Sequence, residues 1–281
     1  MDDARIGSGP MDPTAVSGAR LADDLRALGV RPGGVLMVHT RMSALGWVVG
    51  GTETVVRALL DVLGPEGTLV VYASWEEHVY HAEDRPAEHR EAYVAAPPAF
   101  DPATGEVDRE YGRIPERVRT WPGALRSAHP EASVAAIGTR AAWITGEHPD
   151  DDGYGARSPF ARLVQADGQV LMLGAPLDTV TLLHHAEAIA RVPDKRTATY
   201  RVTLAGDGGP RERTYTDIDT SLGAFHYDTL GLEDDEFAVV ARAALDAGIG
   251  VRGTVGHGVS HLFPAPALTA FAVAWMEERF A

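Results

Sequence analysis

His184 and Glu187 stand three residues apart in the stretch Thr179-Val180-Thr181-Leu182-Leu183-His184-His185-Ala186-Glu187. On a helix that spacing puts both side chains on one face. A carboxylate beside an imidazole raises its basicity and fixes its tautomer. A histidine held in this way can take a proton from an attacking amine. Two other readings stay open on the residues alone. His184 could satisfy buried polar groups in a core, or the pair could ligate a metal. The metal reading needs a matching pair from another helix. No second Glu-x-x-His occurs in the chain, so no metal is expected. His185 points about 100° away from His184 on a helix and falls outside the pair.

A second cluster is His39-Thr40-Arg41-Met42-Ser43-Ala44-Leu45-Gly46, which runs on to Gly50-Gly51-Thr52. It directly follows an apolar run and precedes a helical pattern. Ligands of open α/β sheets bind at the carboxyl ends of strands. Glycines admit close approach of backbone N–H groups, and a helix N-terminus favours anions. A pyrophosphate or the polar pantetheine arm of coenzyme A could sit on His39 to Ser43, Gly46, Gly50 and Gly51. A strand-to-helix connection with routine turn residues is the other reading. The Gly-Lys-[Ser/Thr] ending of a phosphate-binding loop is absent.

Arg126-Ser127-Ala128-His129-Pro130 offers a serine for a hydrolase. Yet no Gly-x-Ser-x-Gly elbow exists anywhere in the chain. A positioning role for His129 is expected over a nucleophilic role for Ser127. Acidic and aromatic side chains are plentiful: Tyr72, Trp75, Glu76, Glu77, Asp101, Glu110, Asp150 to Asp152 and Asp178. In a cleft, carboxylates bind ammonium groups through charge-assisted hydrogen bonds. Tyr72 and Trp75 could stack on a sugar face or a cation. A run such as Asp150 to Asp152 reads equally as a solvated loop.

The elements that must carry these residues alternate. Leu21, Leu25 and Leu28 pattern a helix over 14–28, ended by Gly29. Val35 to Val38 is a buried strand. Val55, Val56, Leu59, Leu60 and Leu63 form the apolar face of a helix closed by Gly64-Pro65, and Thr68 to Tyr72 is the next strand. This is the unit of an α/β sheet. Residues 76–119 lose periodicity and read as an ordered insertion beside a site. Val134 to Ile137 and Gln169 to Leu173 are further buried strands. A helix is expected over 179–191, capped by Asp178 or Thr179. Tyr200 to Leu204 and Arg213 to Tyr215 flank a Gly-rich turn at Gly206-Asp207-Gly208-Gly209, a hairpin. A helix over 233–247, a strand at Val251 to Val255 and a helix over 265–280 complete the chain. The fold class is therefore α/β, a mixed central sheet with flanking helices and an elaborated second half. Residues 1–13 read as a flexible tail and 14–281 as one domain.

Composition narrows the classes. The 281 residues carry a formal charge of −15, with 45% hydrophobic and 23% charged residues. That charge disfavours nucleic acid and anionic membranes and suits a cationic ligand, although solubility alone also accounts for it. There is no cysteine, which excludes disulfides and a cysteine acyl-enzyme and fits a cytoplasmic protein. No apolar run approaches the roughly 18 residues of a membrane span, and the first thirteen residues lack a signal-peptide pattern. Met11 is a candidate second start.

Four blocks in order make the chain resemble the aminoglycoside 3-N-acetyltransferase family. They are Val38-His39-Thr40 through Gly46 with Gly50-Gly51; Gly112-Arg113-Ile114-Pro115-Glu116 leading to Arg126-Ser127-x-His129-Pro130; Ser158-Pro159; and Leu173-Gly174 through Asp178 to His184-x-x-Glu187. The resemblance spans roughly residue 14 to the C-terminus. It implies an α/β fold other than the common GNAT acetyltransferase fold. It also implies acetyl transfer from acetyl-CoA to the 3-amino group of a 2-deoxystreptamine ring. By position, His184 matches the family's base, Glu187 its carboxylate partner, and His39 to Gly46 part of the acetyl-CoA site. Tyr72, Trp75, Glu77, Asp101, His129 and Asp178 match the drug side more loosely. The partners implied are the antibiotic and acetyl-CoA, acting on a monomer or homodimer. Another amine substrate, a non-catalytic binder of cationic sugars, and a Ser127 hydrolase are the alternatives to test.

Overall fold

The computed structural model describes residues 14–75, 77, 86–206 and 208–280. The expected tail at 1–13, Glu76 and Asp207 lie outside the described residues. In chain order, α1 (Gly18–Leu28), β1 (Val35–Thr40), α2 (Gly51–Leu63) and β2 (Thr68–Tyr72) come first. Next are α3 (Ala87–Ala95), β3 (Ala99–Phe100), α4 (Arg113–Arg119), β4 (Leu125–Arg126), β5 (Val134–Gly138), α5 (Ala141–Ile144), α6 (Pro159–Gln165) and β6 (Gln169–Leu173). Then follow α7 (Leu182–Ile189), β7 (Thr197–Leu204), β8 (Arg211–Ile218), α8 (Glu236–Asp246), β9 (Val251–Val255), β10 (Gly258–Pro264) and α9 (Ala265–Phe280).

Seven strands form one mixed sheet in the order β4-β5-β2-β1-β6-β10-β9. Its centre, β2-β1-β6, is parallel, and the strands outside it pair antiparallel. The central strands carry apolar runs, Val35 to Val38, Leu69 to Val71 and Val170 to Leu173, because both faces are covered. Val35, Met37, Val170 and Met172 meet α6, α7, α8 and α9 on one face. Leu36, Val38, Leu171 and Leu173 meet α1, α2 and α4 on the other. A smaller sheet, β3-β7-β8, stands apart, with Phe100, Val202, Tyr215 and Trp75 as its own core. The mixed sheet, the flanking helices and the added second half agree with the expected class.

The differences lie at element ends. Helix α1 starts at Gly18 rather than Thr14, because the Ser17 side chain caps it by accepting from the Arg20 N–H at 3.2 Å. Such a cap stabilises a helix by about 1 kcal/mol. Val16 instead bridges to Val48. Strand β1 runs two residues further than expected, through His39 and Thr40. The segment read as irregular holds α3, β3 and α4. The helix expected over 179–191 is split. Leu177–Thr179 forms a 3-10 turn, and α7 begins at Leu182 without a side-chain cap. Helix α8 starts at Glu236, capped by Asp235. Strands β4 and β10 have no counterpart in the sequence reading.

Because β1 lies between two parallel neighbours, the loops after β1, β2 and β6 leave the sheet side by side. A backbone bond from the Arg41 N–H to the Leu173 carbonyl at 3.1 Å ties two of them together. Gly174 permits that approach. It has φ +64, and a Cβ there would lie 2.9 Å from the Ala44 Cβ. This is the switch point where open α/β sheets bind ligands.

Candidate active site

Helix α7 delivers His184 from its first turn. The His184 Nδ1 lies 2.7 Å from the Glu187 Oε2, with the histidine side chain 18% exposed and the glutamate fully buried. The other carboxylate oxygen, Oε1, accepts from the Tyr227 hydroxyl at 2.8 Å and the Ala224 N–H at 3.2 Å. Burial pushes the Tyr227 phenol above its ordinary range, so it remains an O–H donor. Glu187 is thus held on both oxygens, and its charge is directed at Nδ1. The imidazole then carries its proton on Nδ1 and leaves Nε2 as the basic nitrogen. The ring packs against Phe237 and Tyr154, at centroid distances of 4.6 and 5.1 Å.

His184 faces a cavity of about 360 Å³ that is also lined by Tyr72, Tyr111, Glu131, Asp178, Asp235 and Glu236. Its carboxylates make it a cation site in chemistry. Asp178 is raised above the usual carboxylate range by burial and then by Asp235 and Asp234. Mutual repulsion of this kind is relieved by a polycation. A second cavity of about 450 Å³ is lined by His39 to Ser43, Gly112, Arg113 and Pro176. Tyr72, Tyr111 and Thr179 belong to both cavities, so the two meet there. The His39 Nε2 and Thr40 Oγ1 are buried here without a hydrogen-bond partner. Burial lowers His39 to about 4, so the ring is neutral. Unpaired buried polar atoms are costly and call for a polar ligand. Beyond Gly112 and Arg113 a third hollow runs along the N-terminus of α2, lined by Gly50, Arg109 and Arg117 together with Glu53, Glu106 and Glu116. Arg117 pairs with Glu53 at 2.8 Å and Arg109 with Glu106 at 3.8 Å.

The expected residues therefore separate into two groups. His184, Asp178 and Tyr72 come together at one cavity, and His39 to Ser43 line its neighbour. Gly50 lines the third hollow, while Gly46 and Gly51 serve the backbone with φ +82 and +62. Four expectations are corrected. Trp75 is only 4% exposed and packs on Phe100 at 5.2 Å, so it offers no face for stacking. Asp101 closes its own turn, accepting from the Ala103 N–H and the Thr104 hydroxyl. Glu77 lines neither cavity, and its carbonyl accepts from the Tyr93 hydroxyl. His129 is fully buried between His148 and Tyr215, with Nδ1 accepting from the Ala132 N–H at 2.9 Å. The N-cap expected of Asp178 or Thr179 is likewise absent. The wall residues missed as site candidates include Tyr111, Glu131, Tyr154, Thr220, Asp235 and Glu236. Tyr111 stood inside the insertion read over 76–119, Glu131 just after the Arg126 to Pro130 stretch, and Asp235 and Glu236 inside the helix expected over 233–247.

His185 and the Arg126 motif are structural. His185 donates from Nδ1 to the Tyr154 carbonyl at 2.7 Å, and Arg126 donates to the Ala73 and Gly105 carbonyls. Ser127 is 1% exposed and lines neither of the two adjoining cavities. Its oxygen accepts from the Val134 N–H at 3.0 Å and pairs with the His148 Nδ1 at 2.9 Å. Because His148 donates from Nε2 to the Gly153 carbonyl, Nδ1 receives the serine proton. This resembles a nucleophile pair but is sealed from substrate. Ser127→Ala is expected to leave turnover unchanged and to destabilise the fold by about 1–3 kcal/mol, the range for an unpaired buried donor. Urea unfolding and steady-state assays check both halves. A folded variant without turnover would overturn the scaffold role.

The family model for aminoglycoside 3-N-acetyltransferases matches residues 37–277. Aminoglycoside N(3)-acetyltransferase VII of Streptomyces paromomycinus is 50% identical over 266 residues, covering 94% of this chain and 92% of its own. The structure of AAC-IIIb in binary complex with CoASH superposes with a TM-score of 0.86 at 43% identity, covering 95% of this chain and 98% of its own. AAC-VIa bound to sisomicin gives a TM-score of 0.86 at 38% identity, covering 95% and 99%. The shared architecture is this mixed sheet and not the GNAT fold.

Proposed function

The chain belongs to the aminoglycoside 3-N-acetyltransferase family, and on that premise we propose that it transfers the acetyl group of acetyl-CoA directly to the 3-amino group of a 2-deoxystreptamine ring, with His184 as general base. The observation that carries this reading is the His184–Glu187 pair facing one cavity while an adjoining cavity holds two unpaired buried polar atoms. The acidic cavity suits a polycationic drug. The His39 to Ser43 cavity suits the pantetheine arm, whose amides would pair the His39 Nε2 and Thr40 Oγ1. Arg113, which lines that cavity, suits the coenzyme's phosphates.

Bound acetyl-CoA supplies an activated acyl carbon. The residues do the rest. An ammonium is not a nucleophile, so the substrate amine must first lose a proton. The carboxylates that attract the drug also raise that amine's pKa, which makes a base within direct or one-water reach necessary. Becoming an amide costs the ammonium two protons: one passes to solvent by way of Nε2 of His184 before attack, and Nε2 takes the second as the C–N bond forms, with Glu187 stabilising the imidazolium. His184 can then return the proton to the departing thiolate. Thr40 Oγ1 and nearby backbone N–H groups are the candidate donors to the carbonyl oxygen as charge builds there. The product amide cannot be protonated, so the drug loses one positive charge, the basis for resistance. We place the reaction in the cytoplasm, where acetyl-CoA is made. No described helix is long and apolar enough to cross a membrane, and no described cluster of side chains is arranged to hold a metal.

Thiol release measured across a panel of aminoglycosides and simple amines, with NMR of the product, tests the proposal. Release that requires a deoxystreptamine drug and an amide at its 3-position is the expected result. Release with other amines only would replace the substrate. Absence of acetyl-CoA binding in calorimetry would leave a binder of cationic sugars.

A further inference from the structure

Glu131 lies on the wall of the cavity that His184 faces, and the reaction above does not use it. The loop between β4 and β5 carries it, and it is 3% exposed. Its carboxylate accepts from the Thr220 hydroxyl at 2.7 Å, the Tyr200 hydroxyl at 2.8 Å and the Tyr154 hydroxyl at 3.5 Å. The Tyr154 hydroxyl lies 2.8 Å from that of Tyr72. The Tyr111 ring meets the Tyr72 ring edge-on, at a centroid distance of 4.7 Å. The chain thus runs from a buried carboxylate to the place where both cavities meet.

A phenol has one proton to give. Tyr154 gives its proton to Glu131, so its oxygen accepts from Tyr72. Tyr72 has then spent its proton on Tyr154. Every hydroxyl in the chain donates inward. The junction is therefore left with oxygen lone pairs, which accept N–H groups and repel an oxyanion. We propose that Glu131 is a positioning residue whose charge orients the Tyr154–Tyr72 chain so that the outer Tyr72 oxygen holds the N–H groups of the amine to be acetylated. This rests on the acetyl-transfer reading and adds to it a device that aims the nucleophile.

The device carries its own pH dependence. Burial pushes Glu131 up to about 7, the Asp217 charge adds to this, and Thr220, Tyr200 and His184 oppose it. Those groups, with the phenols of Tyr72, Tyr111 and Tyr154, face it from β2, β7, β8, α7 and the neighbouring loops. A protonated Glu131 must donate at one oxygen. The Tyr154 bond is the longest of the three, so it reverses first. The chain then turns hydroxyl protons toward the amine.

The test compares wild type, Glu131→Gln, Tyr154→Phe and the double variant by thiol release from acetyl-CoA with a deoxystreptamine aminoglycoside as a function of pH. Wild-type log(kcat/KM) is expected to fall on the acid side with a slope approaching about two, for His184 and Glu131, and each variant with a slope of about one. Each variant is expected to lose about tenfold in kcat with the KM for acetyl-CoA unchanged, and the double variant no more than either, because the residues act as a unit. Wild-type slopes in both variants, or losses that multiply, would overturn the inference. Should Glu131→Gln fail to fold, Tyr154→Phe, which deletes one oxygen, carries the same test. A wild type that releases no thiol with any aminoglycoside refutes the proposed function and this inference with it. Normal wild-type turnover beside unaltered variant slopes refutes the inference alone.

Discussion

His184→Ala is expected to fold as wild type does and to lose turnover by at least about a hundredfold, the lower range for removal of a general base. The folding half follows from the partners left behind. Glu187 loses the Nδ1 donor but keeps the Tyr227 hydroxyl and the Ala224 N–H. A carboxylate with two remaining donors is not an orphaned buried charge. The truncated ring lay on a cavity wall, so water can fill the space in place of an apolar void. The kinetic half follows from the ammonium. Asp178, Asp235 and Glu236 line the cavity with carboxylates, which favour a protonated amine and make an unassisted deprotonation rarer. Thiol release at saturating acetyl-CoA, with thermal melts alongside, measures both. Added imidazole is expected to restore part of the rate, since the vacated space opens on the cavity. Wild-type turnover in a folded variant would remove His184 as the base.

Much of the sheet was legible because its signal is local. Val35 to Val38, Thr68 to Tyr72 and Gln169 to Leu173 are short apolar runs bounded by turn residues, and burial on both faces demands that composition. Strand β10 escaped because its sequence, Gly258-Val259-Ser260-His261-Leu262-Phe263-Pro264, mixes polar and apolar side chains without a clear period. Antiparallel pairing with β6 decides its state. Helix ends were misread where a tertiary contact outweighed pattern. Val16 pairs with Val48, and this holds residues 14–17 out of α1.

The candidate site divided in the same way. His184 and Glu187 are neighbours in sequence, so helical geometry alone brought them together. The cavity wall around them is assembled from β2, the loops before β5 and α6, the end of β8 and the start of α8. No spacing rule links Tyr72, Glu131, Tyr154, Thr220 and Asp235. Trp75 shows the converse error. It follows a strand at a site-bearing edge, yet the second sheet needs its ring as core. Exposure, which one sequence does not reveal, decided between stacking and packing.

Glu187→Gln is expected to lower kcat on the order of ten-thousandfold while leaving the volume of the core unchanged, as for other buried carboxylates that fix a catalytic histidine's tautomer. The amide offers one acceptor oxygen where the carboxylate offered two. Suppose that oxygen keeps the Tyr227 hydroxyl and the Ala224 N–H. The amide N–H₂ then points at the His184 Nδ1 and forces the ring proton onto Nε2. A nitrogen that already bears a proton cannot accept one from the substrate. The opposite rotamer restores the Nδ1 contact but sets N–H₂ against a fixed backbone N–H in a fully buried site, at a cost of about 1–3 kcal/mol for an unpaired donor. The first arrangement wins on that difference, and the imidazole is held in the wrong tautomer. Loss of the buried negative charge also removes stabilisation from the imidazolium. The pH profile separates the two effects. If Glu187 acted only by raising the basicity of His184, the variant's acid limb would move to lower pH and its plateau would match wild type. Tautomer control predicts a lowered plateau that no pH restores. A shifted limb with a full plateau would overturn the tautomer argument and leave Glu187 as an electrostatic partner alone.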